Sequence, residues 1–579
     1  MWRCVRRAAV ACSALLALGA SPLPAGNATV PGEVTAPYPT VTNLAVEWKI
    51  EGDDNENGRV DVEFRRAGEK AWRQAMPLRR VPAGVSVGTR PIFRWENKHS
   101  GSIFDLRPGT EYEIRLKLSD PDGGAAEKTI RARTRPVPRD AHNARVRRAA
   151  PETLASLAAS AAPGDVLLLA PGRYGAFTAL RDGAPGKPIV FRGRDAAAVF
   201  DRFDMQGRKY LHLEGATVNG SVNLLGGEEL VVRHCTVNAE YGIIAKQPPG
   251  AKNSYVSDNV VTYNMPWDRN RMCASAPAGY ETNHGEGIEM TGPGNVICHN
   301  RVRGYRDCVS LMEDTYVHDQ ICDDIYNNDI YVGIDDAVEC DFAMGNCRVM
   351  RNRITNCFMG LSSQPGLGGP TYFIRNVMYN IANSPFKLSR RSVGDVILHN
   401  TVVKVGDGLA APHRDWSHAL FRNNLAIGGS GGGMFGRYSS GPGLAVALAG
   451  PDATCDFDYD GAGTSGTPFK GRIRNVSFDT LEQWRERTSY KHGVQVDMTV
   501  FDNVPFPDPA IPERPVPDLR IRRGSAAEDA GAVLPNVNDG YRGKAPDLGA
   551  YEVGDPLPVY GPRPAGVDEE TAWKTRRRK

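Results

Sequence analysis

The chain has no pair of cysteines in CxxC spacing, which removes the usual framework of a structural zinc site. It has no apolar run long enough to cross a bilayer; its one pronounced run, residues 8–18, is too short. An excess of either charge is missing too. The formal charge of +3 is matched by Arg3, Arg6 and Arg7, so the chain beyond them is neutral. That balance gives no electrostatic reason to expect nucleic acid or an anionic membrane as partner. Long helical periodicity is also absent, whereas 62 glycines and 41 prolines point to many short strands and tight turns.

What is present at the start reads as a secretory signal over residues 1–26. Its parts are the three arginines, the apolar run, and small residues at 19–21 and 25–26. The expectation is an exported protein, secreted or periplasmic, with no membrane span. Export would permit disulfides, and Cys322 and Cys347 are a candidate pair because they fall at nearly matching places on consecutive repeats. The length of 579 residues calls for at least two domains, and a monomer is expected. The basic end, residues 556–579, is expected to be a disordered tail.

Residues 35–137 alternate like half-buried strands, as in Leu44-Ala45-Val46-Glu47-Trp48 and Val60-Asp61-Val62-Glu63-Phe64. Residues 106–116, Leu-Arg-Pro-Gly-Thr-Glu-Tyr-Glu-Ile-Arg-Leu, add a turn feeding another alternating strand. With Trp48 upstream, this segment resembles the fibronectin type III family over roughly a hundred residues, which implies a small β-sandwich and nothing about activity. Pro136, Pro138 and the polar stretch to Arg148 read as a linker. A short amphipathic helix at 151–157 follows, suited to capping a stack of strands.

The main signal is an internal repeat. An apolar or aromatic residue, Asn and an apolar pair recur with the Asn at 259, 300, 328, 352, 376, 400 and 423, at gaps of 41, 28, 24, 24, 24 and 23. Cys235 holds the same place 24 residues earlier. About nine residues after each Asn a further strand opens on a small residue, as in Gly242-Ile243, Gly287-Ile288, Cys308-Val309, Ala337-Val338 and Gly360-Leu361. Leucine-rich repeats share the period, but their leucine framework is missing. The pattern fits an all-β fold: a right-handed parallel β-helix of about 24-residue coils over residues 145–555, with an N-terminal cap helix and a ladder of stacked asparagines.

The opening motifs Pro163-Gly164-Asp165, Pro171-Gly172-Arg173-Tyr174 and Lys187-Pro188-Ile189-Val190 resemble those of bacterial β-helix polysaccharide lyases and hydrolases, the pectate lyase-like superfamily. So do Phe478, Leu481 and Trp484, and Asp547-Leu548-Gly549-Ala550-Tyr551-Glu552. The resemblance implies an enzyme acting on a polysaccharide.

Strand alternation then fixes an outward row: Ile244, Glu289, Ser310, Glu339, Ser362, Lys387 and Ala410. A second row, two residues on, contains Lys246, Thr291, Asp341 and Gln364, and Glu286, Asp307 and Asp336 precede the strands. Acids therefore crowd three neighbouring coils, and Lys387, Arg390 and Arg391 follow. Crowded acids need a cation, a partner or altered pKa values. Trp267, His284, Asp307, Gln364 and Arg391 are candidate substrate contacts; Trp267 and Tyr280 belong to an insertion over residues 265–282 that would wall a groove.

By analogy with pectate lyase-like proteins, Glu289, Glu339 and Asp341 would hold Ca²⁺, Lys387 would be the base that starts β-elimination, and Arg390 would neutralise the uronate. The chain departs from chondroitinase B-like lyases, since Thr291-Gly292-Pro293-Gly294-Asn295 lacks their Lys and their Arg-His-Gly is absent. The alternative is an inverting hydrolase of polygalacturonase type, with Asp336 and Glu339 as catalytic carboxyls. Asp335-Asp336 resembles that family's paired aspartates, but its His-Gly and Arg-Ile-Lys are missing. A third reading is a non-catalytic glycan-binding surface protein.

Overall fold

The computed structural model describes residues 26–89, 92–273, 283–311 and 320–576. Residues 1–25 of the expected signal segment and Tyr280 lie outside the described residues, and so do all the inserted residues after Cys273. Its main body is a right-handed parallel β-helix. A typical coil gives three short strands, for example Tyr255–Ser257, Val260–Thr262 and Glu286–Met290, and in two coils the second and third run together as Asp329–Glu339 and Arg353–Ser363. The first strands stack into a 13-stranded parallel sheet from Arg145–Ala149 to Asp456–Asp458, and the other two kinds share an 18-stranded sheet.

Between first and second strands the chain turns sharply, and the turn is built from two residues. The first is left-handed in coil after coil: Asp258 (φ 57°), His299 (54°), Asn327 (54°), Arg351 (53°), Arg375 (55°), His399 (55°) and Asn423 (60°). That conformation costs an L-residue about 1–2 kcal/mol. The second residue offsets the cost. Asn259, Asn300, Asn328, Asn352, Asn376, Asn400 and Asn424 are all fully buried, and each Nδ2 donates to the Oδ1 of the next at 2.9–3.0 Å. The backbone N–H of Cys235 heads the column, donating to Asn259 Oδ1 at 2.9 Å, and Asp460 Oδ1 ends it, accepting from Asn424 at 2.9 Å. The column uses Asn424 where the repeat predicts Asn423. Asn423 is the left-handed residue of its turn, and its amide faces His399 and the Ala532 carbonyl.

The interior is apolar throughout, closed at one end by the helix Leu154–Ala159 through Leu154 and Ala158, and at the other by the buried Trp484 of the helix Leu481–Arg487. Cys308 and Cys340 lie in the interior. Cys298 points the other way, to the outer face beneath Glu569. All nine described cysteines are free, so the expected Cys322–Cys347 bridge is not formed; Cys347 is hydrogen-bonded to Cys340 instead.

The N-terminal strands form a sandwich. One layer pairs Val30–Thr35, Leu44–Glu51 and Lys98–Ile103; the other pairs Arg73–Val81, Arg59–Arg66, Glu111–Ser119 and Ala125–Arg133. Arg73–Val81 also reaches Lys98–Ile103 and joins the layers along one side. Trp48, Phe64, Ile114 and Leu116 fill the core, and Tyr112 Oη accepts from Arg107 N–H at 2.8 Å, pinning the corner before its strand.

This sandwich is fastened along the body. Arg348 and Asp324, both fully buried, pair in the body, and Asn43 of the sandwich donates to the same Asp324 at 2.8 Å. Tyr372 Oη accepts from Ser102 N–H at 3.0 Å, and Arg351 grips Asp105 with both amino groups at 2.9 and 3.0 Å. The chain after the last coil wraps back over the stack, with Leu548, Ala550 and Tyr551 covering Val377, Tyr379 and Val403. Residues 556–576 are placed rather than disordered. Arg563, 8% exposed, pairs with Asp258 at 2.6 Å and Glu569 at 2.9 Å, and Glu569 also accepts from Tyr255 and Tyr326. Among the described residues no helix is long and apolar enough to cross a membrane.

Candidate functional site

The third strands of successive coils carry the site. Each opens on a small residue because the coils approach closely there: a Cβ on Gly287 would stand 2.4 Å from the Cys308 carbonyl oxygen. Alternation then sends Ile243, Ile288, Val309, Val338, Leu361 and Phe386 into the core. Their successors align outward as Ile244, Glu289, Ser310, Glu339, Ser362 and Lys387, the row read from the sequence.

A solvated face would leave these residues exposed. They are covered instead: Glu286, Glu289, Asp307, Asp336, Glu339 and Asp341 are at most 5% exposed, and Lys387 is 8% exposed. Asp335 beside them is half-buried. Lys387 Nζ lies 2.7 Å from Asp336 Oδ2, and Asp336 N–H donates to Asp307 Oδ1 at 2.8 Å. Ser310 Oγ donates to Glu339 Oε2 at 2.9 Å, and Ser362 Oγ to Asp341 Oδ1 at 2.6 Å. Burial, joined by Asp307 and neighbouring acids, pushes the Glu286, Asp335 and Glu339 carboxyls well above the ordinary range; burial also raises Glu289. Burial opposes the Lys387 ammonium, but Asp336, Asp341, Asp335 and Glu339 outweigh it and hold its pKa well above normal.

Two cations of this cluster are missing from the predicted set. Arg306 Nε is 2.6 Å from Asp307 and its NH2 3.6 Å from Glu286, and Lys246 Nζ is 3.4 Å from Glu289. A signal for Arg306 exists in the register. Its N–H donates to the Gly285 carbonyl and Asp335 N–H donates to its own, so Gly285, Arg306 and Asp335 share one position on successive coils. His413, in the turn after the next coil's strand, is a further missed neighbour. Its Nε2 is buried with no hydrogen-bond partner among the described residues, and burial together with Lys387 lowers its pKa to about 4.

Several predicted roles move. The carboxylates that approach one another are Asp307, Asp336 and Glu339, with one oxygen of each within 4.8 Å of the others. Glu289 stands two coils from Glu339, and Asp341 is engaged with Ser362, so the expected trio of Glu289, Glu339 and Asp341 is not a compact set. Arg390 and Arg391 are exposed on the turn beyond Lys387, while Arg306 is the guanidinium inside the acid cluster. Trp267, 6% exposed, packs among Met272, Val332 and Phe435 and donates its Nε1 to Ala510 O, so its faces are unavailable to a sugar. His284 Nδ1 lies 2.9 Å from Glu240, toward the preceding coil. Gln364 is half-buried at the end of its strand.

The described part of the insertion does flank the site. Cys273 N–H donates to the carbonyl of Ile334, the residue before Asp335. Seven carboxylates and three cations (Lys246, Arg306, Lys387) therefore share one covered cluster. A buried surplus of negative charge is expensive without a counter-ion, and all-oxygen donors within a few ångströms of one another suit a hard divalent cation.

No protein-family model matches the chain, and no curated protein matches it. Two solved structures are similar in chain course. The structure of pectate lyase Pel9A aligns with 71% of this chain and 97% of its own, at 17% identity and a TM-score of 0.38. The family 28 exopolygalacturonase of Yersinia enterocolitica aligns with 78% of this chain and 99% of its own, at 12% identity and a TM-score of 0.30. Neither likeness bears on the chemistry, which rests on the geometry of the acid row.

Proposed function

We propose that this chain is an exported polysaccharide-degrading enzyme that cleaves an acidic, uronate-containing glycan by β-elimination. The observation that carries the reading is Lys387, an amine buried against Asp336 beside the converging Asp307 and Glu339. Elimination needs a base for the proton α to the uronate carboxyl and positive charge where the enolate develops. Lys387 is the base and Arg306 the fixed positive charge. Asp307, Asp336 and Glu339, with Asp335 beside them, would hold Ca²⁺, which would neutralise the uronate carboxylate. The Lys387 ammonium is the counter-charge of Asp336, so this reading makes activity depend on another cation taking that place.

A second reading is favoured by one observation. Burial beside neighbouring acids raises the Glu339 carboxyl, the property of a general acid in an inverting glycosidase. A panel of acidic polysaccharides, with and without chelator, separates the two. The lyase gives new absorbance near 235 nm that chelator abolishes, and Lys387→Ala stops it. New reducing ends without that absorbance would replace the lyase by the hydrolase, and neither signal would leave a glycan-binding protein.

A further inference from the structure

The left-handed turn that sets up the asparagine column also has an outward side. Its first residues on four successive coils, His299, Asn327, Arg351 and Arg375, line one cavity of about 1700 Å³. The turns are stacked in register: Arg351 N–H donates to Ile374 O at 2.8 Å and Arg375 N–H to Leu398 O at 2.9 Å. The four residues therefore follow one another at the coil spacing of about 4.8 Å. Thr42, Asp105 and Leu106 of the sandwich line the same cavity, as do Tyr551, Glu552 and Tyr560 of the chain that returns after the last coil. None of the acid-row residues borders it.

Most charges around this cavity are already matched. Arg351 holds Asp105 with both amino groups, Arg520 pairs with Asp518, Arg542 with Asp555, and Arg563 with Glu569. Arg375 is the exception. Its side chain is 15% exposed and makes one hydrogen bond, from an amino group to Ala550 O at 3.1 Å. Glu552 stands 3.8 Å from it, beyond hydrogen-bond reach. Glu552 is also a poor counter-charge, since burial beside Asp547 raises its carboxyl to about 7. A guanidinium offers five N–H donors, and the rest of these have no protein acceptor among the described residues. Burial pushes the Arg375 pKa down, as does the Arg351 guanidinium one coil earlier. A cation this far withdrawn from water is costly until an anion completes it, and a carboxylate fits its fork.

The remaining lining is mixed. Leu557, Val559 and Val567, three of the exposed large apolar side chains, border the same cavity. Ordinary small-molecule sites enclose roughly 300–1,000 Å³, so this volume suits an extended ligand rather than a single ring.

We propose that this cavity is a second ligand site, separate from the reacting groups, and that it takes a carboxylate-bearing oligosaccharide. Arg375 receives a carboxylate, and Leu557 and Val559 pack on the sugar rings. The anion site stands on the cavity itself; the choice of a sugar acid rests on the function proposed above, whose fragments are uronate oligomers.

The test is calorimetric titration of the full chain with a galacturonate trisaccharide, beside Arg375→Gln and, separately, Leu557→Ser with Val559→Ser. Chelator is present throughout, so that the acid row, which needs a cation to accept a uronate, stays silent. The parent should bind the trisaccharide and ignore maltotriose, its neutral control. A charged hydrogen bond lost at Arg375 should weaken binding at least about tenfold, and the double variant should bind more weakly too. Leu557 and Val559 are exposed, so their substitution shifts stability by only about 0.5 kcal/mol and remains decisive if Arg375→Gln fails to fold. A parent that binds no trisaccharide, or parent-level affinity in a folded Arg375→Gln or in the double variant, would overturn the site. Equal binding of maltotriose would overturn the carboxylate's role, and equally tight binding of monomeric galacturonate the extended ligand. Trisaccharide binding by a parent that cleaves no acidic polymer would remove the lyase reading and leave the cavity's role standing.

Discussion

On one side of the coils runs a buried column of asparagines, and on another a buried row of acids. Both put polar side chains where water does not reach, and both repeat at the coil spacing. The column is neutral and complete. Asn352, for example, donates to Ile325 O and Asn376 Oδ1 and accepts twice from Asn328, which fills the bonding capacity of its amide. The row is charged and incomplete. Glu286 Oε2 and Glu289 Oε2 accept no hydrogen bond among the described residues, and neighbouring acids raise one another. Buried polarity that satisfies itself is architecture. Buried polarity that conflicts persists only where something else, a substrate or a cation, resolves it.

Four measurements would sharpen or break this contrast. Glu339→Gln keeps shape and removes charge, so turnover on the true substrate should fall about 10²–10⁴-fold while the melting temperature does not drop. A fall in melting temperature with intact rates would place Glu339 with the asparagines. In the column the opposite outcome is expected: Asn352→Ala, which strands the groups around it, should cost about 2–4 kcal/mol in denaturant unfolding. An unchanged midpoint would remove the ladder from the list of what holds the stack.

The third measurement addresses the one carboxyl inside the column. Burial raises Asp460 to about 7, and it accepts from Asn424 and from Tyr490. A carboxyl protonated more readily when folded contributes fully at pH below about 4, its unfolded value, and that contribution is lost as pH rises to about 7. Asp460→Asn should therefore match the parent in acid and melt higher above pH 7, as melting curves from pH 4 to 8 would show. Coincident curves at every pH would refute the shift. The smallest effect belongs to Glu289→Gln. Relieving repulsion in the row should stabilise the cation-free protein by about 1 kcal/mol, and a calorimetric loss instead would mean that the charge is already compensated.

The repeat made the coils, the ladder and the outward row legible because stacking imposes one spacing on all three. It places Glu289, Ser310, Glu339, Ser362 and Lys387 on one line, as the strand pairing does. It failed where the motif match departs from that spacing. The coil that ends at Asn424 is a full 24 residues long, so a motif match one residue early selected Asn423. It also failed where a position outside the strand contributes. Arg306 sits in the turn, and a reading of outward strand residues passes over it. What covers the row was out of reach, because burial of Trp267 depends on segments far away in the chain. The charge of Arg390 and its nearness to Lys387 in sequence suggest a role beside it, yet the strand ends before Arg390 and the turn carries it outward.

Arg563 and Glu569 close over Tyr255, Tyr326 and Asp258, residues made 243 to 314 positions earlier. Synthesis therefore leaves that face open until Arg563 and Glu569 are made. Coils can stack as they emerge, but Tyr255 and Tyr326 stay uncovered until the last segment returns. A chain cut short by even a few dozen residues would keep its helical body and its groove while displaying an apolar, tyrosine-lined strip.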